Sequence, residues 1–250
     1  MVNARIYFLG TGAAMPVTRF LPCIALKVDS DIYLLDPGEG CQVKMFKTGL
    51  SPVKVKAVFI THAHGDHYLG LPGLIQTMTL SDRKEPLLIA GPKQLIDALI
   101  AVFNQGLVKP GFKVDLSLVT PNYTYSDNKI SVKAFPVEHS LEAYGYHVAI
   151  GKKTICYTGD TTPSKSTVEA CRGVDVLIHE ATFTSIYEDE AHTQRHSTCR
   201  DAALIAEEAG VGLLVLFHIS ARHGDVDAYY DAVRVFKKVV VARDGMVIYL

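Results

Sequence analysis

An α+β fold of two mixed β-sheets facing each other, with helices outside, is the architecture this sequence predicts. Three observations point to it. Short apolar, β-branched runs recur in both halves of the 250 residues, helical patterns lie between only some of them, and no Gly/Ser-rich or Pro-rich linker divides the chain. Residues 1–250 therefore read as one domain. Hydrophobic residues make up 48 % of the chain, enough at this length for a sizeable core.

In chain order, β-rich runs predict strands at 5–9, 24–28, 32–35 and 55–60, with a helical pattern over 41–48 before the fourth. The loop Leu9-Gly10-Thr11-Gly12-Ala13 lacks the third glycine and the following acidic residue of a dinucleotide fingerprint. It reads instead as a place where small residues let backbone come close to a site. The stretch 69–80 lacks β alternation and reads as a helix, with Pro72 acceptable in its first turn. A strand at 87–90 and a helix at 93–104 follow. Strands are then expected at 131–137, 144–150, 154–158, 174–179, 213–218 and 246–250, and helices at 199–209 and 226–239. Ser197 or Thr198 supplies the hydroxyl that caps the helix at 199.

Composition narrows the function classes. The net charge of −1 gives no global attraction for nucleic acid, and Lys44, Lys47, Lys54 and Lys56 read as a solvated face. No apolar run of about 18 residues and no signal-peptide pattern occurs, so a cytoplasmic protein without membrane contact is expected. The five cysteines, Cys23, Cys41, Cys156, Cys171 and Cys199, are widely spaced without a C-x-x-C pair and are expected to be reduced core residues.

Chemistry concentrates at Ile60-Thr61-His62-Ala63-His64-Gly65-Asp66-His67, where three imidazoles and a carboxylate follow the strand at 55–60. On a strand-to-helix loop, His62 and His64 can face one way while Asp66 and His67 point elsewhere. Two pairs suggest two ions. Imidazole suits zinc, and the mixture with carboxylate is compatible with manganese or iron. Two divalent ions about 3.5–4 Å apart generate hydroxide at neutral pH and hold the charge of a displacement at phosphorus or a carbonyl.

Further candidate ligands stand where other apolar strands stop: His139, Asp160 and His218. Two divalent ions plus a hydroxide outweigh the carboxylates Asp66 and Asp160, so an anionic substrate completes the balance, which favours a phosphoester. Glu180 and His196 supply a carboxylate that orients a histidine, giving a general acid of raised pKa for an alkoxide leaving group.

The segment 62–67 with Leu69-Gly70-Leu71-Pro72-Gly73-Leu74 resembles the metallo-β-lactamase superfamily, specifically its ribonuclease Z branch. The likeness runs on through Phe135-Pro136-Val137-Glu138-His139, Tyr157-Thr158-Gly159-Asp160-Thr161, His179-Glu180-Ala181-Thr182-Phe183, His196-Ser197-Thr198 and Phe217-His218-Ile219-Ser220-Ala221-Arg222. It implies a four-layer αββα sandwich with a di-zinc site. By motif, His62, His64 and His139 would hold one ion, Asp66, His67 and His218 the other, and Asp160 would bridge. The resemblance also gives Asp66 the orientation of the hydroxide, and Glu180 with His196 the protonation of the leaving 3′ oxygen.

Two departures concern the substrate. Only twenty residues separate His139 from Asp160, where tRNA-processing members commonly carry a long inserted arm, and the loop Pro16-Val17-Thr18-Arg19-Phe20-Leu21 keeps only the proline of the family's Pro-x-Lys-x-Arg-Asn. Arg19 and Phe20 are the substrate-binding candidates there, although an apolar loop packed on a dimer partner fits Phe20 equally well. The expected activity is metal-dependent hydrolysis of RNA phosphodiester bonds, including tRNA 3′ processing, by a homodimer whose second copy helps grip the substrate. Cyclic nucleotides, short oligonucleotides or other small phosphodiesters are the alternative, ahead of lactone or thioester hydrolysis or a non-catalytic binding module.

Overall fold

The computed structural model describes residues 3–250 and divides the chain into two compact units, each organised around a seven-stranded mixed sheet with helices. Two mixed sheets flanked by helices are the expected class.

The first unit runs through the described part of 1–10, then 20–119 and 243–250. Its strands are β1 (Ala4–Gly10), β2 (Cys23–Val28), β3 (Asp31–Leu35), β4 (Val55–Phe59), β5 (Leu87–Gly91) and β6 (Val114–Leu118), in that spatial order, with the C-terminal strand Val247–Tyr249 beside β1. Pairing is antiparallel from the C-terminal strand to β3 and parallel from β3 to β6. Parallel strands need crossovers, which α1 (Cys41–Lys47), the short turn α2 (Gly65–Tyr68) with α3 (Gly70–Leu80), and α4 (Lys93–Asn104) provide. Met45, Leu71, Leu74, Ile75, Met78, Leu95 and Leu99 pack with Ala25, Leu34, Val58 and Ile89 in one apolar cluster. Pro72 does fall in the first turn of α3, where its missing N–H costs no hydrogen bond.

The second unit, residues 11–19 and 120–242, holds β7 (Thr124–Ser126), β8 (Ser131–Pro136), β9 (Tyr144–Ile150), β10 (Lys153–Tyr157), β11 (Val176–Glu180), β12 (Leu213–Phe217) and β13 (Val239–Val241). Here β7 to β10 are antiparallel and β10 to β13 parallel. Helix α5 (Lys165–Ala170) sets Val168, and helices α7 (Cys199–Ala209) and α8 (Asp225–Val233) set small residues, Ala202, Ala203, Ala206, Ala228 and Ala232, into a cluster with Leu177, Leu214 and Leu216. A sixth helix, α6 (Glu188–Thr193), precedes α7. Thr198 caps α7 with a reciprocal capping box: its hydroxyl accepts from Asp201 N, and the Asp201 carboxylate accepts from Thr198 N.

Several expectations are corrected. β6 alternates apolar and polar residues and is missing from the expected strands, β7, β13 and helices α5 and α6 are too short to read from sequence, and the helix expected over 226–239 ends at Val233, with β13 beginning at Val239. The cysteines are not all reduced. Cys156 at the core face of β10 and Cys171 at the end of α5 form a disulfide, because the connection brings their Cα atoms to 5.5 Å. Cys23, Cys41 and Cys199 are free thiols and buried.

Candidate active site

Polar groups collect at the carboxyl ends of the parallel strands in each unit, the edge where α/β sheets leave backbone and side chains open to a ligand. In the first unit, β3 delivers Asp36 and β4 delivers Thr61 and His62. Asp36 is fully buried and in the left-handed region at φ 47°, which an aspartate tolerates better than most residues. Its carboxylate accepts from Thr61 N and the Thr61 hydroxyl, both at 2.7 Å, and from His67 Nδ1 at 2.8 Å. Thr61 Oγ1 in turn lies 3.0 Å from His62 Nδ1. His62 Nε2 and His64 Nδ1 stand 2.9 Å apart and His67 Nε2 lies 3.5 Å from Asp66 Oδ2, but the His67 ring is also 4.2 Å from that of His62, so the four side chains form one cluster rather than two separated pairs. Close backbone approach sets this loop, since a Cβ on Gly38 would come within 2.2 Å of the Asp66 carbonyl oxygen and one on Gly70 within 2.0 Å of that of Gly38.

In the second unit, β10, β11 and β12 deliver Asp160, Glu180 and His218. Glu180 is 1 % exposed, and every bond around it is specified. Oε1 accepts from Thr161 N at 3.0 Å and His196 Nδ1 at 2.8 Å, and Oε2 accepts from Thr182 N at 3.1 Å and the Thr182 hydroxyl at 2.8 Å. Burial alone would raise the Glu180 pKa, but the charge and hydrogen bond of His196 prevail and hold it below the ordinary range. Asp160 Oδ2 lies 3.5 Å from His218 Nε2 and 3.9 Å from His196 Nδ1. His139 donates from Nδ1 to the Arg195 carbonyl at 2.9 Å, and burial pushes its pKa down, which favours the neutral imidazole a metal requires. Arg195 and His218 both have positive φ, 62° and 56°, so the groups that aim this cluster sit on sparsely populated backbone.

The donor set fits divalent metal ions. His62, His67, His139 and His218 each have Nδ1 engaged by Thr61, Asp36, the Arg195 carbonyl and Thr182 respectively, which fixes the tautomer and leaves Nε2 as the ligand atom. Asp36 and Thr182 are the two residues that sequence reasoning missed. Both follow a strand end, as the candidate ligands do, and that placement was the available signal.

Arg19 is engaged within its own unit. Its guanidinium donates to Thr11 Oγ1 at 2.5 Å and the Ala242 carbonyl at 2.6 Å and pairs with Asp225, so it staples its own loop. Phe20 is 38 % exposed, its ring lies 4.1 Å below the Lys44 ammonium, and its N–H donates to Asp244.

Sheets of this topology with imidazole and carboxylate donors at their strand ends define a metal-dependent hydrolase domain, and the sequence matches the β-lactamase superfamily domain over residues 32–219. It is 34 % identical to a ribonuclease Z of Ignicoccus hospitalis across 98 % of this chain and 97 % of that protein. It is 35 % identical to one of Sulfurisphaera tokodaii across 95 % of each. The short form of human tRNase Z superimposes with a TM-score of 0.85 at 32 % identity over 98 % of both chains. The chain belongs to the ribonuclease Z family. The alignment with the Ignicoccus protein runs over 292 positions, more than the 250 residues here, so that relative carries stretches without a counterpart in this chain.

Proposed function

We propose that this protein is a two-metal phosphodiesterase that cuts RNA, with a 3′-extended tRNA precursor as the substrate class, leaving a 3′-hydroxyl and a 5′-phosphate. The observation that carries it is the part-buried His196 Nδ1 to Glu180 Oε1 hydrogen bond of 2.8 Å. It presents Nε2–H as a proton donor beside the Asp160 and His218 ligands, and an alkoxide leaving group needs that proton.

By the family motif, His62, His64 and His139 would hold one ion and Asp66, His67 and His218 the other, with Asp160 as a ligand common to the pair. Zinc suits these donors best, with manganese or iron also compatible. When bound, such a pair supplies a nucleophile at neutral pH and offsets charge at phosphorus. The protein's own groups do the rest. Asp66 accepts a hydrogen bond from the attacking water and sets its direction. His196 gives its Nε2 proton to the departing 3′ oxygen, and Glu180 balances the imidazolium before transfer. Thr182 holds Glu180 and His218 in register.

The interval between His139 and Asp160 is occupied by the β9–β10 hairpin, so the grip on a tRNA body comes from elsewhere. A second copy of the chain supplies it in this reading. No helix among the described residues is long and apolar enough to cross a membrane, and the reading places the enzyme in the cytoplasm with RNA.

The test is parallel incubation of the metal-loaded protein with a 3′-extended tRNA precursor, a short oligonucleotide and a cyclic nucleotide, with product ends mapped. Cleavage of the precursor to 3′-hydroxyl ends is expected. Cleavage of the cyclic nucleotide alone would transfer the assignment to small phosphodiesters.

A further inference from the structure

A cleft of about 430 Å³ opens in the second unit between the segment after β11 and helix α8, lined among others by Thr184, Tyr187, Arg222, His223, Tyr230 and Arg234. None of these belongs to the ligand set or the proton donor. Its walls are fixed: Ser185 donates from both N and Oγ to the Asp231 carboxylate, which ties the 184–187 segment to α8.

Its contents suit a nucleobase. The Tyr187 and His223 rings lie 5.3 Å apart and tilted by 45°, and Tyr187 and Tyr230 are 38 % and 58 % exposed, so aromatic faces are available for stacking. Two polar atoms in the wall, Thr184 Oγ1 and His223 Nε2, have no hydrogen-bond partner, although Thr184 is only 6 % exposed. Burial first, and Arg222 second, hold His223 below the ordinary histidine range, so its ring is neutral and can meet either a donor or an acceptor on a base edge. Arg234 brings a cation for a neighbouring phosphate, while Arg222 is paired with Glu190 at 2.7 Å and the lining carboxylate of Asp227 disfavours filling the cleft with phosphate alone.

Position gives direction. The Phe183 ring stands 6.2 Å from His196 on one side and 6.2 Å from His223 on the other, so the cleft begins one ring away from the proton donor. His196 serves the departing 3′ oxygen in the proposed function, so the nucleotide nearest the cleft is the one that carries this oxygen.

We infer that this cleft is a nucleotide subsite that stacks and hydrogen-bonds a base on the 5′ side of the scissile phosphate, the side that departs with the free 3′ hydroxyl. The inference rests on the phosphodiesterase reading for its direction.

The experiment uses the metal-loaded full chain and a series of short oligoribonucleotides carrying 2-aminopurine at successive single positions, numbered from the cut wherever cleavage maps one. Stacking quenches the fluorescence of this base. Wild type is expected to quench it, and Tyr187→Ala and Tyr230→Ala to relieve the quench and raise KM for the oligonucleotide about tenfold, as loss of one base–aromatic stack does. Replacement by Phe should restore both, and the loss on RNA should exceed that on bis-p-nitrophenyl phosphate. Wild-type quenching and KM in both alanine variants would overturn the subsite. Quenching by a wild type that cleaves no RNA would keep the subsite and remove the phosphodiesterase reading instead.

Discussion

The hydroxyl of Thr182 lies 2.8 Å from Nδ1 of His218 and donates, also at 2.8 Å, to Oε2 of Glu180. One buried side chain therefore fixes both the tautomer of a candidate ligand imidazole and the carboxylate that holds His196. Thr182→Val keeps the shape and removes the hydroxyl. It is expected to weaken metal binding by about 10–100-fold, the usual cost of losing the partner of a ligating histidine, and to lower RNA cleavage, with circular dichroism unchanged. Thr182→Ser should recover most of both. Full metal content in the valine variant, measured by elemental analysis after dialysis, would remove Thr182 from this role.

His196→Ala separates proton donation from binding. Loss of a general acid costs about 10²–10⁴-fold in turnover when the leaving group is an alkoxide. The p-nitrophenolate of bis-p-nitrophenyl phosphate departs without a proton, so the loss there should be far smaller. Matched losses on the two substrates would show that His196 does something other than give a proton.

The ligand motif was legible because metal binding demands particular side chains at short spacing, and 62–67 satisfies that demand locally. His139, Asp160 and His218 were legible for a second reason: each ends an apolar run, and the structure does place Asp160 and His218 just after β10 and β12. Asp36 and Thr182 were not, because an aspartate before Pro37 or a threonine after Glu180 has an ordinary local explanation as a turn or strand residue. Only the fold shows the Asp36 carboxylate meeting Thr61 and His67, and Thr182 meeting His218 across 36 residues. Arg19 is a candidate from its place in the loop matched to the family's Pro-x-Lys-x-Arg-Asn, and only the fold shows that Asp225, 206 positions on, takes its guanidinium. The Cys156–Cys171 bridge was hidden similarly, since cysteine spacing says nothing about how a helix returns to its strand.

That bridge closes a loop of 15 residues in the core of the second unit, between the end of β10 and the end of α5. In the chain-entropy account, a loop of this size is worth about 3 kcal/mol, because the crosslink restricts the unfolded chain. Cys156→Ser should lower the urea midpoint accordingly, and a reductant should do the same to wild type while leaving the variant unmoved. Equal midpoints for wild type with and without reductant would mean that the bond contributes nothing to stability.

Asp175, just before β11, accepts from Lys153 Nζ and Thr154 N, both at 2.9 Å. The lysine contact first, and the backbone bond second, hold its carboxyl below the ordinary value of 3.8. A carboxyl whose pKa is depressed by folding contributes stability that is fully present above its unfolded value and is lost as the pH falls through the folded value. The side chains of Asp175 and Lys153 are 35 % and 50 % exposed, so solvent screening limits the contribution to less than about 1 kcal/mol. Asp175→Asn should therefore be slightly less stable than wild type at neutral pH, and the two curves of stability against pH should converge in acid, below the ordinary carboxylate range. Added salt should narrow the neutral-pH gap, because both partners reach solvent. A gap that stays constant from neutral to acid pH would assign the effect of the substitution to hydrogen-bond geometry rather than to charge.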